Sequence, residues 1–155
     1  MAVVNRVKWD GQDGMYAWKY PSEELSQLTQ LIVNESQDAV LIREGKMIGP
    51  LSPGRHTLDT KNIPLLSKLF KVPTGGDAPF TAEVWFVNKT MPLDVKWGTL
   101  ASIQLQDPKY NVMLPIRAFG QYGVQISDTR KFITKLVGTL PSFDREKMVS
   151  YFRGI

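Results

Sequence analysis

The sequence contains no cysteine and only one histidine among its 155 residues. Without cysteine there can be no disulfide framework, no thiolate zinc site and no cysteine nucleophile, and the composition fits a reducing compartment such as the cytoplasm. Long apolar runs are missing as well. No stretch approaches the roughly 18 consecutive apolar residues of a membrane span, so we expect neither a signal peptide nor a spanning helix.

The sequence also lacks a strong excess of charge of either sign. The formal net charge is +4, from 19 basic and 15 acidic residues, which favours an anionic surface or acidic partners but is too small to indicate nucleic acid. The carboxylates are scattered and lack the short spacings of a metal site. We therefore expect no metal, no cofactor and no small-molecule substrate. The length suits one domain, spanning residues 1–155.

The segment GPLSPGRH, residues 49–56, has the glycine spacing of a phosphate-binding loop. Such a loop aims backbone N–H groups at the anion, and it needs a Lys, a Ser or Thr and a following helix. Pro50 and Pro53 have no N–H group, and Arg55 and His56 occupy the positions of the Lys and the Ser or Thr. We interpret the segment as a turn that returns the chain to a sheet.

His56 is the remaining candidate for acid–base catalysis. It would need an orienting carboxylate, such as Asp59, and a nucleophile within reach. A single histidine beside a turn is more often a hydrogen-bonded strand residue, and we expect this of His56. An enzyme is therefore the least favoured of the three functions that we consider, and we expect no catalytic residues.

Most of the chain between residues 30 and 126 alternates apolar and polar residues with the period of a β-strand. Residues 30–49 predict two short strands around residues 34–38, followed by a turn at 44–46, most simply a hairpin. Residues 80–97 predict a second hairpin with its turn near Asn88. From Val112 to Ile126 the apolar residues keep to every second position, which predicts a single extended, bent strand.

The period becomes helical after residue 127. Asp128 is a good N-cap for an amphipathic helix whose inward positions follow at spacings of three and four: Phe132, Ile133, Leu136, Val137 and Leu140. Gly138 lies near its predicted end. A second helix is predicted from residues 142–144, with these residues inward: Met148, Val149, Phe152 and Ile155. Because this pattern is still running at residue 155, we expect the natural protein to continue beyond it.

These patterns predict an α+β fold: a bent, mainly antiparallel sheet with helices concentrated toward the C-terminus. Two surfaces are candidate binding sites. The N-terminal segment interleaves Trp9 and Trp18 with Lys8 and Lys19, as do stacking platforms for single-stranded nucleic acid and membrane-interface anchors. An edge strand that packs its rings onto the sheet has the same pattern, and we favour that interpretation.

The second candidate surface lies on the outer side of the first predicted helix. Arg130, Lys131 and Lys135 could share this face and contact an anionic membrane. A solvated helix face is the common alternative. Together with Trp9 and Trp18, these three residues are our predicted contacts to a membrane or another anionic surface.

Five segments are specific in combination: ESQDAV, PGRHTLDTKNIPLL, AEVWFVN, KWGT and RAFGQYG. Together they resemble the bacterial SPFH/band 7 (stomatin-prohibitin-flotillin-like) proteins, in particular the virion-core-protein-like branch. The similarity covers nearly the whole chain. Leu28 departs from the pattern, because a glycine is expected before the QLIV strand, so the local turn at this position is in question.

The resemblance implies a stomatin-like domain that acts as a scaffold rather than an enzyme. It also implies that residues 1–155 are followed by a C-terminal helical or coiled-coil region that drives oligomerisation. Relatives of this kind form large homo-oligomers at membrane surfaces and organise other proteins, and the resemblance carries no catalytic residues across. We accordingly expect a peripheral protein at the inner face of the cell membrane, with membrane-associated client proteins as partners and no nucleic acid. A module that binds single-stranded nucleic acid or another anionic ligand through the N-terminal segment is the alternative.

Overall fold

Two stacked β-sheets make up most of the structure, a computed structural model that describes residues 4–58, 79–90 and 95–153. In chain order the strands are β1 (Val4–Lys8), β2 (Met15–Lys19), β3 (Glu24–Val33), β4 (Gln37–Arg43), β5 (Lys46–Leu51), β6 (Gly54–Leu58), β7 (Phe80–Thr81), β8 (Glu83–Asn88), β9 (Val95–Gly98), β10 (Ile103–Gln106), β11 (Met113–Ile116), β12 (Phe119–Tyr122) and β13 (Ser142–Asp144). The helical segments are α1 (Thr129–Phe132), the π-helical turn Ile133–Val137 that continues it, and α2 (Arg145–Arg153).

The central sheet has the strand order β13-β2-β8-β4-β5, and all of its neighbouring strands are antiparallel. In the second sheet, β3 lies between β1, which is parallel to it, and β6, which is antiparallel, while β7 pairs with the start of β3. Two further pairs, β9 with β12 and β10 with β11, form separate two-stranded sheets. The fold is therefore α+β and mainly antiparallel, as the sequence predicts.

The central sheet is buried on both faces. Successive residues of a strand point to opposite sides, so in β8 Val84 and Phe86 face the second sheet, while Trp85 and Val87 belong to the core under the helical segments. All four side chains are at most 2% exposed. This double burial explains why β8 is almost continuously apolar in sequence.

The predicted turn at 44–46 is confirmed, and it joins β4 and β5 in a hairpin. Its turn residues Glu44 and Gly45 have φ angles of 48° and 74°, the left-handed conformations that a two-residue hairpin turn requires at both positions. The preceding strand β3 lies in the other sheet and does not pair with β4.

The second predicted hairpin is wrong. β8 lies between β2 and β4, and β9 pairs with β12 instead. The bent strand predicted from Val112 to Ile126 is also divided into β11 and β12, which pair with different partners. In both cases the alternation identifies strands correctly but carries no information on which strand is the neighbour.

The first helix begins as predicted, because the Asp128 carboxylate accepts a hydrogen bond from the N–H group of Lys131 at 2.9 Å. The segment ends at Gly138, whose φ is 58°. Leu140 is 41% exposed rather than inward, because the helical turns have ended before it.

The second helix begins later than predicted. Residues 142–144 form β13, which pairs with β2 and so extends the central sheet. The helix then starts at Arg145, and the Asp144 carboxylate accepts the N–H group of Lys147 at 3.0 Å. Met148 is buried as predicted, but Phe152 is 51% exposed. Ile155 lies outside the described residues.

Leu28 lies in an irregular part of β3. Between the pairs Val4↔Leu25 and Arg6↔Gln30, β1 advances by two residues and β3 by five, so β3 bulges around Leu28. Leu28 has a φ of 65° and is 59% exposed. A side chain in this left-handed region is strained, which explains why a glycine is the expected residue here.

We expect Leu28→Gly to raise the free energy of unfolding by about 0.5–1 kcal/mol, since relief of about 1–2 kcal/mol of backbone strain exceeds the entropy that glycine adds to the unfolded chain. Urea denaturation measures the change. Leu100→Gly is the matched control, because Leu100 is 82% exposed and is not among the positive-φ residues. Equal destabilisation by both substitutions would contradict this account of Leu28.

Candidate functional site

The N-terminal aromatic residues pack against the core between the two sheets. The ring centroid of Trp18 lies 5.5 Å from that of Trp9, 5.9 Å from Tyr20 and 6.0 Å from Phe86. The Trp9 indole N–H donates to the Gly11 carbonyl at 3.0 Å, and Trp9 and Trp18 are both half-buried. The rings therefore pack onto the sheet, as we expected of these residues. The strand β2 that carries Trp18 is internal to its sheet, however, and not the expected edge strand.

Lys19 is engaged with two carboxylates. Its ammonium nitrogen lies 2.7 Å from Glu23 Oε1 and 3.4 Å from Glu83 Oε1. The hydrogen bond to Glu23 raises the pKa of Lys19, with a smaller contribution from the negative charge of Glu83, while partial burial opposes the rise. A lysine held in this way is poorly placed to bind a phosphate. Binding of single-stranded nucleic acid at Trp18 would need a free cation beside the ring, and Lys19 does not supply one.

The three basic residues predicted on the first helix do lie on its outer side. Arg130, Lys131 and Lys135 are all exposed, while Phe132 and Ile133 between them are buried in the core under the helical segments. An Arg130 guanidinium N–H donates to the Met47 carbonyl at 3.4 Å, and the Lys131 ammonium lies 3.8 Å from Asp128. The segment thus presents a small cationic face to solvent.

This cationic face is anchored on the central sheet by a buried polar contact. The Thr129 hydroxyl donates to Asp38 Oδ2 at 2.6 Å, and Lys89 Nζ lies 3.6 Å from the same oxygen. Asp38 and Thr129 are 7% and 2% exposed. Sequence reasoning missed this pair, although an aspartate inside the apolar strand QDAVL is a signal that a buried polar partner is required.

The segment GPLSPGRH forms the corner between the two sheets. β5 belongs to the central sheet and β6 to the second, and Gly54, with a φ of 130°, starts β6. His56 Nε2–H donates to the Ser52 carbonyl at 2.6 Å, which confirms the predicted hydrogen-bonded strand residue. Asp59, its proposed catalytic partner, lies outside the described residues.

We expect His56→Gln to lower the free energy of unfolding by no more than about 1 kcal/mol, because the substitution removes one hydrogen bond at a half-exposed position. Vesicle binding should be unchanged. Urea denaturation and vesicle co-sedimentation of the same preparation measure both effects. Loss of vesicle binding at an unchanged melting temperature would make His56 a functional residue.

Neither a metal cluster nor a spanning helix is found in the part of the chain that the structure describes. Residues 4–58, 79–90 and 95–153 place no group of three or more His, Cys, Asp or Glu side chains where they could hold a metal ion. Within the same ranges, no helix has the length and apolar character needed to cross a membrane.

Comparison with known proteins identifies the family. The model of the SPFH domain-Band 7 family matches residues 15–155. The uncharacterized protein YdjI of Bacillus subtilis (strain 168) is 31% identical over 138 residues, which cover 88% of this chain but only 42% of that protein. The chain thus spans less than half the length of this relative. No solved structure gives a significant match. The chain belongs to the SPFH domain-Band 7 family.

Proposed function

We propose that residues 1–155 form one non-catalytic scaffold domain of the virion-core-protein-like branch. It attaches peripherally to the inner face of the cell membrane, self-assembles and organises membrane-associated partner proteins. The observation that carries membrane attachment is the exposed cationic face of Arg130, Lys131 and Lys135, held on the central sheet through Thr129 and Asp38. The family match supports the scaffold role.

One copy of this cationic face binds a membrane weakly. Each basic residue contributes about 1 kcal/mol near an anionic leaflet, and the sum of about 3 kcal/mol is below the roughly 4 kcal/mol of millimolar affinity. When several copies are joined in one assembly, later contacts become intramolecular, and the overall binding rises by a factor of about 100 or more. Assembly therefore determines whether the domain is attached to the membrane.

The geometry gives less support to the nucleic-acid alternative. Trp9 and Trp18 use their rings in contacts with each other and with Phe86, and Lys19 is paired with carboxylates. A stacking platform needs free ring faces beside free cations. We therefore retain the membrane surface as the anionic partner.

Co-sedimentation with vesicles tests the proposal. We expect the protein to bind vesicles that contain phosphatidylserine, to bind neutral phosphatidylcholine vesicles much less, and to lose binding as salt increases. An oligothymidylate of matched charge serves as the competing probe. Equal binding to both vesicle types would contradict the electrostatic mechanism, and tight binding to the oligonucleotide with no vesicle binding would favour the alternative.

A further inference from the structure

Exposed apolar side chains are concentrated in one part of the described chain. Of the residues that the structure describes, fourteen large hydrophobic ones are exposed, and ten of these fall between residues 97 and 119. These ten form what we call the 97–119 patch: Trp97, Leu100, Ile103, Leu105, Tyr110, Val112, Met113, Leu114, Ile116 and Phe119. Their exposure ranges from 40% to 89%. Such a concentration is typical of a surface that another molecule covers.

The centre of the patch is the hairpin β10–β11. Its register pairs Ile103 with Ile116 and Leu105 with Leu114. Directly paired residues project from the same face of a two-stranded sheet, so these four aliphatic side chains form one apolar face. The alternate residues project from the reverse face, which is more polar: Gln104, Gln106, Met113 and Pro115. The hairpin is thus amphipathic, although every residue of both strands is exposed.

An isolated hairpin of this kind is marginally stable in water, because its apolar face has nothing to pack against. None of the ten patch residues belongs to either hydrophobic core of the described structure. The four aliphatic side chains therefore gain their full burial energy only when a partner covers them.

The open edges of the hairpin argue against the lipid interior as this partner. Among the described residues, β10 and β11 form a sheet of two strands, and no third described strand pairs with the outer backbone groups of either one. Open sheet edges do not occur in the hydrocarbon region of a bilayer, where their N–H and C=O groups would stay unsatisfied. The hairpin turn also carries the charged residues Asp107 and Lys109. A protein surface can cover the apolar face while the edges remain hydrated or become paired.

The size of the patch fits a contact between two folded copies. At roughly 200 Å² per fully exposed large side chain, the four half-exposed side chains on the apolar face of the hairpin offer on the order of 400 Å² of apolar surface: Ile103, Leu105, Leu114 and Ile116. A standard protein interface buries about 800 Å² on each partner, of which about 450 Å² is non-polar. The apolar face of the hairpin therefore supplies most of the non-polar area that a homodimer contact needs.

We propose that the 97–119 patch is an assembly interface at which a second copy of this chain packs its own patch, with the apolar faces of the two β10–β11 hairpins in contact. This inference rests on the proposed self-assembly and names the surface responsible. Because an apolar face of aliphatic pairs is complementary to its own copy, an isologous contact with two-fold symmetry satisfies it.

The charges around the patch predict how salt affects the contact. Lys96, Lys109 and Arg117 flank the hairpin, and the only carboxylate in residues 95–122, Asp107, accepts the backbone N–H groups of residues 109 and 110. Two copies bring like charges together, so salt screens a repulsion and strengthens association. Binding to an anionic vesicle through Arg130, Lys131 and Lys135 responds in the opposite direction.

Sedimentation equilibrium of the chain, at micromolar concentrations and without lipid, tests this interface. We expect the wild-type protein to associate, and the double variant Leu105→Gln/Leu114→Gln to raise the dissociation constant at least 100-fold. The matched control is Gln104→Thr/Gln106→Thr on the reverse face, which should associate like the wild type. Identical circular dichroism spectra and melting profiles establish that each variant folds.

The outcomes separate this interface from the proposed membrane function. Association that weakens in the double variant and strengthens with salt supports the interface, whether or not vesicles are bound. A wild-type protein that is monomeric throughout, or a double variant that associates normally, would overturn it. A double variant that keeps its oligomeric state but loses vesicle binding would assign the patch to the lipid surface instead.

Discussion

Phe86→Ala is expected to lower the free energy of unfolding by about 3–5 kcal/mol, the range for removing a buried aromatic side chain. Phe86 is 0% exposed and belongs to the core between the two sheets. Its ring centroid lies 6.0 Å from Trp18 and 6.4 Å from Trp9, so the substitution also removes the contact that fixes both indoles. Urea denaturation followed by tryptophan fluorescence measures the loss.

Phe119→Ala is the matched control, because it deletes the same atoms from a residue that is 89% exposed. The free energy of unfolding of the monomer should change by no more than about 0.5 kcal/mol. It is measured below the concentration at which copies associate. Similar destabilisation by both substitutions would mean that the core does not lie between the two sheets. The packing of Trp18 on Phe86 also affects how a Trp18→Ala variant is interpreted. If this variant binds vesicles more weakly, the cause can be disturbed core packing as well as the loss of a direct contact between Trp18 and the membrane.

Neutralising the cationic face with Arg130→Gln/Lys131→Gln/Lys135→Gln is expected to weaken binding to phosphatidylserine vesicles about 100-fold. Three lost contributions of about 1 kcal/mol each give this factor for one copy, and an assembly that engages several copies loses more. The side chains are exposed, so the fold and the oligomeric state should be unaffected. Vesicle co-sedimentation and sedimentation equilibrium measure the two properties separately.

A second triple variant separates the position of the charges from the change in net charge. Arg6, Lys8 and Arg55 are exposed on β1 and β6 of the second sheet, whereas the cationic face lies over the other side of the central sheet. Changing these three residues to Gln removes the same formal charge and should reduce binding only slightly. If both triple variants lose binding equally, net charge rather than the helical face attracts the protein to the membrane.

Local signals in the sequence predicted local structure well. Asp128 caps its helix, and Glu44 and Gly45 form a hairpin turn. The glycine expected at Leu28 comes from the family resemblance instead, and the strained backbone at this position explains it. In each case the cause lies within a few residues of the position, in the left-handed backbone or the side-chain cap. These features could be read without knowledge of the tertiary structure.

Long-range pairing could not be predicted in this way. The alternation of β8 and β9 suggested a hairpin, but β8 is covered on both faces and pairs with β2 and β4. Likewise, the alternation from Val112 to Ile126 predicted a strand without showing that Leu114 and Ile116 stay exposed. Burial depends on which strands lie beside and above a residue, and this is decided by contacts between segments far apart in the chain. The predicted membrane contacts therefore remain predictions for Arg130, Lys131 and Lys135, as for Trp9 and Trp18.

Because the central sheet is covered on both sides, we expect unequal protection from hydrogen exchange along the chain. Amides in β4 and β8 should exchange only when the whole domain unfolds, and those of β10 and β11 through local fluctuations that leave the cores intact. A hairpin that opens in this way would lie outside the cooperative unit of folding. In the proposed assembly it would order when a second copy arrives and fray when that copy leaves, so the assembly could come apart without unfolding its subunits.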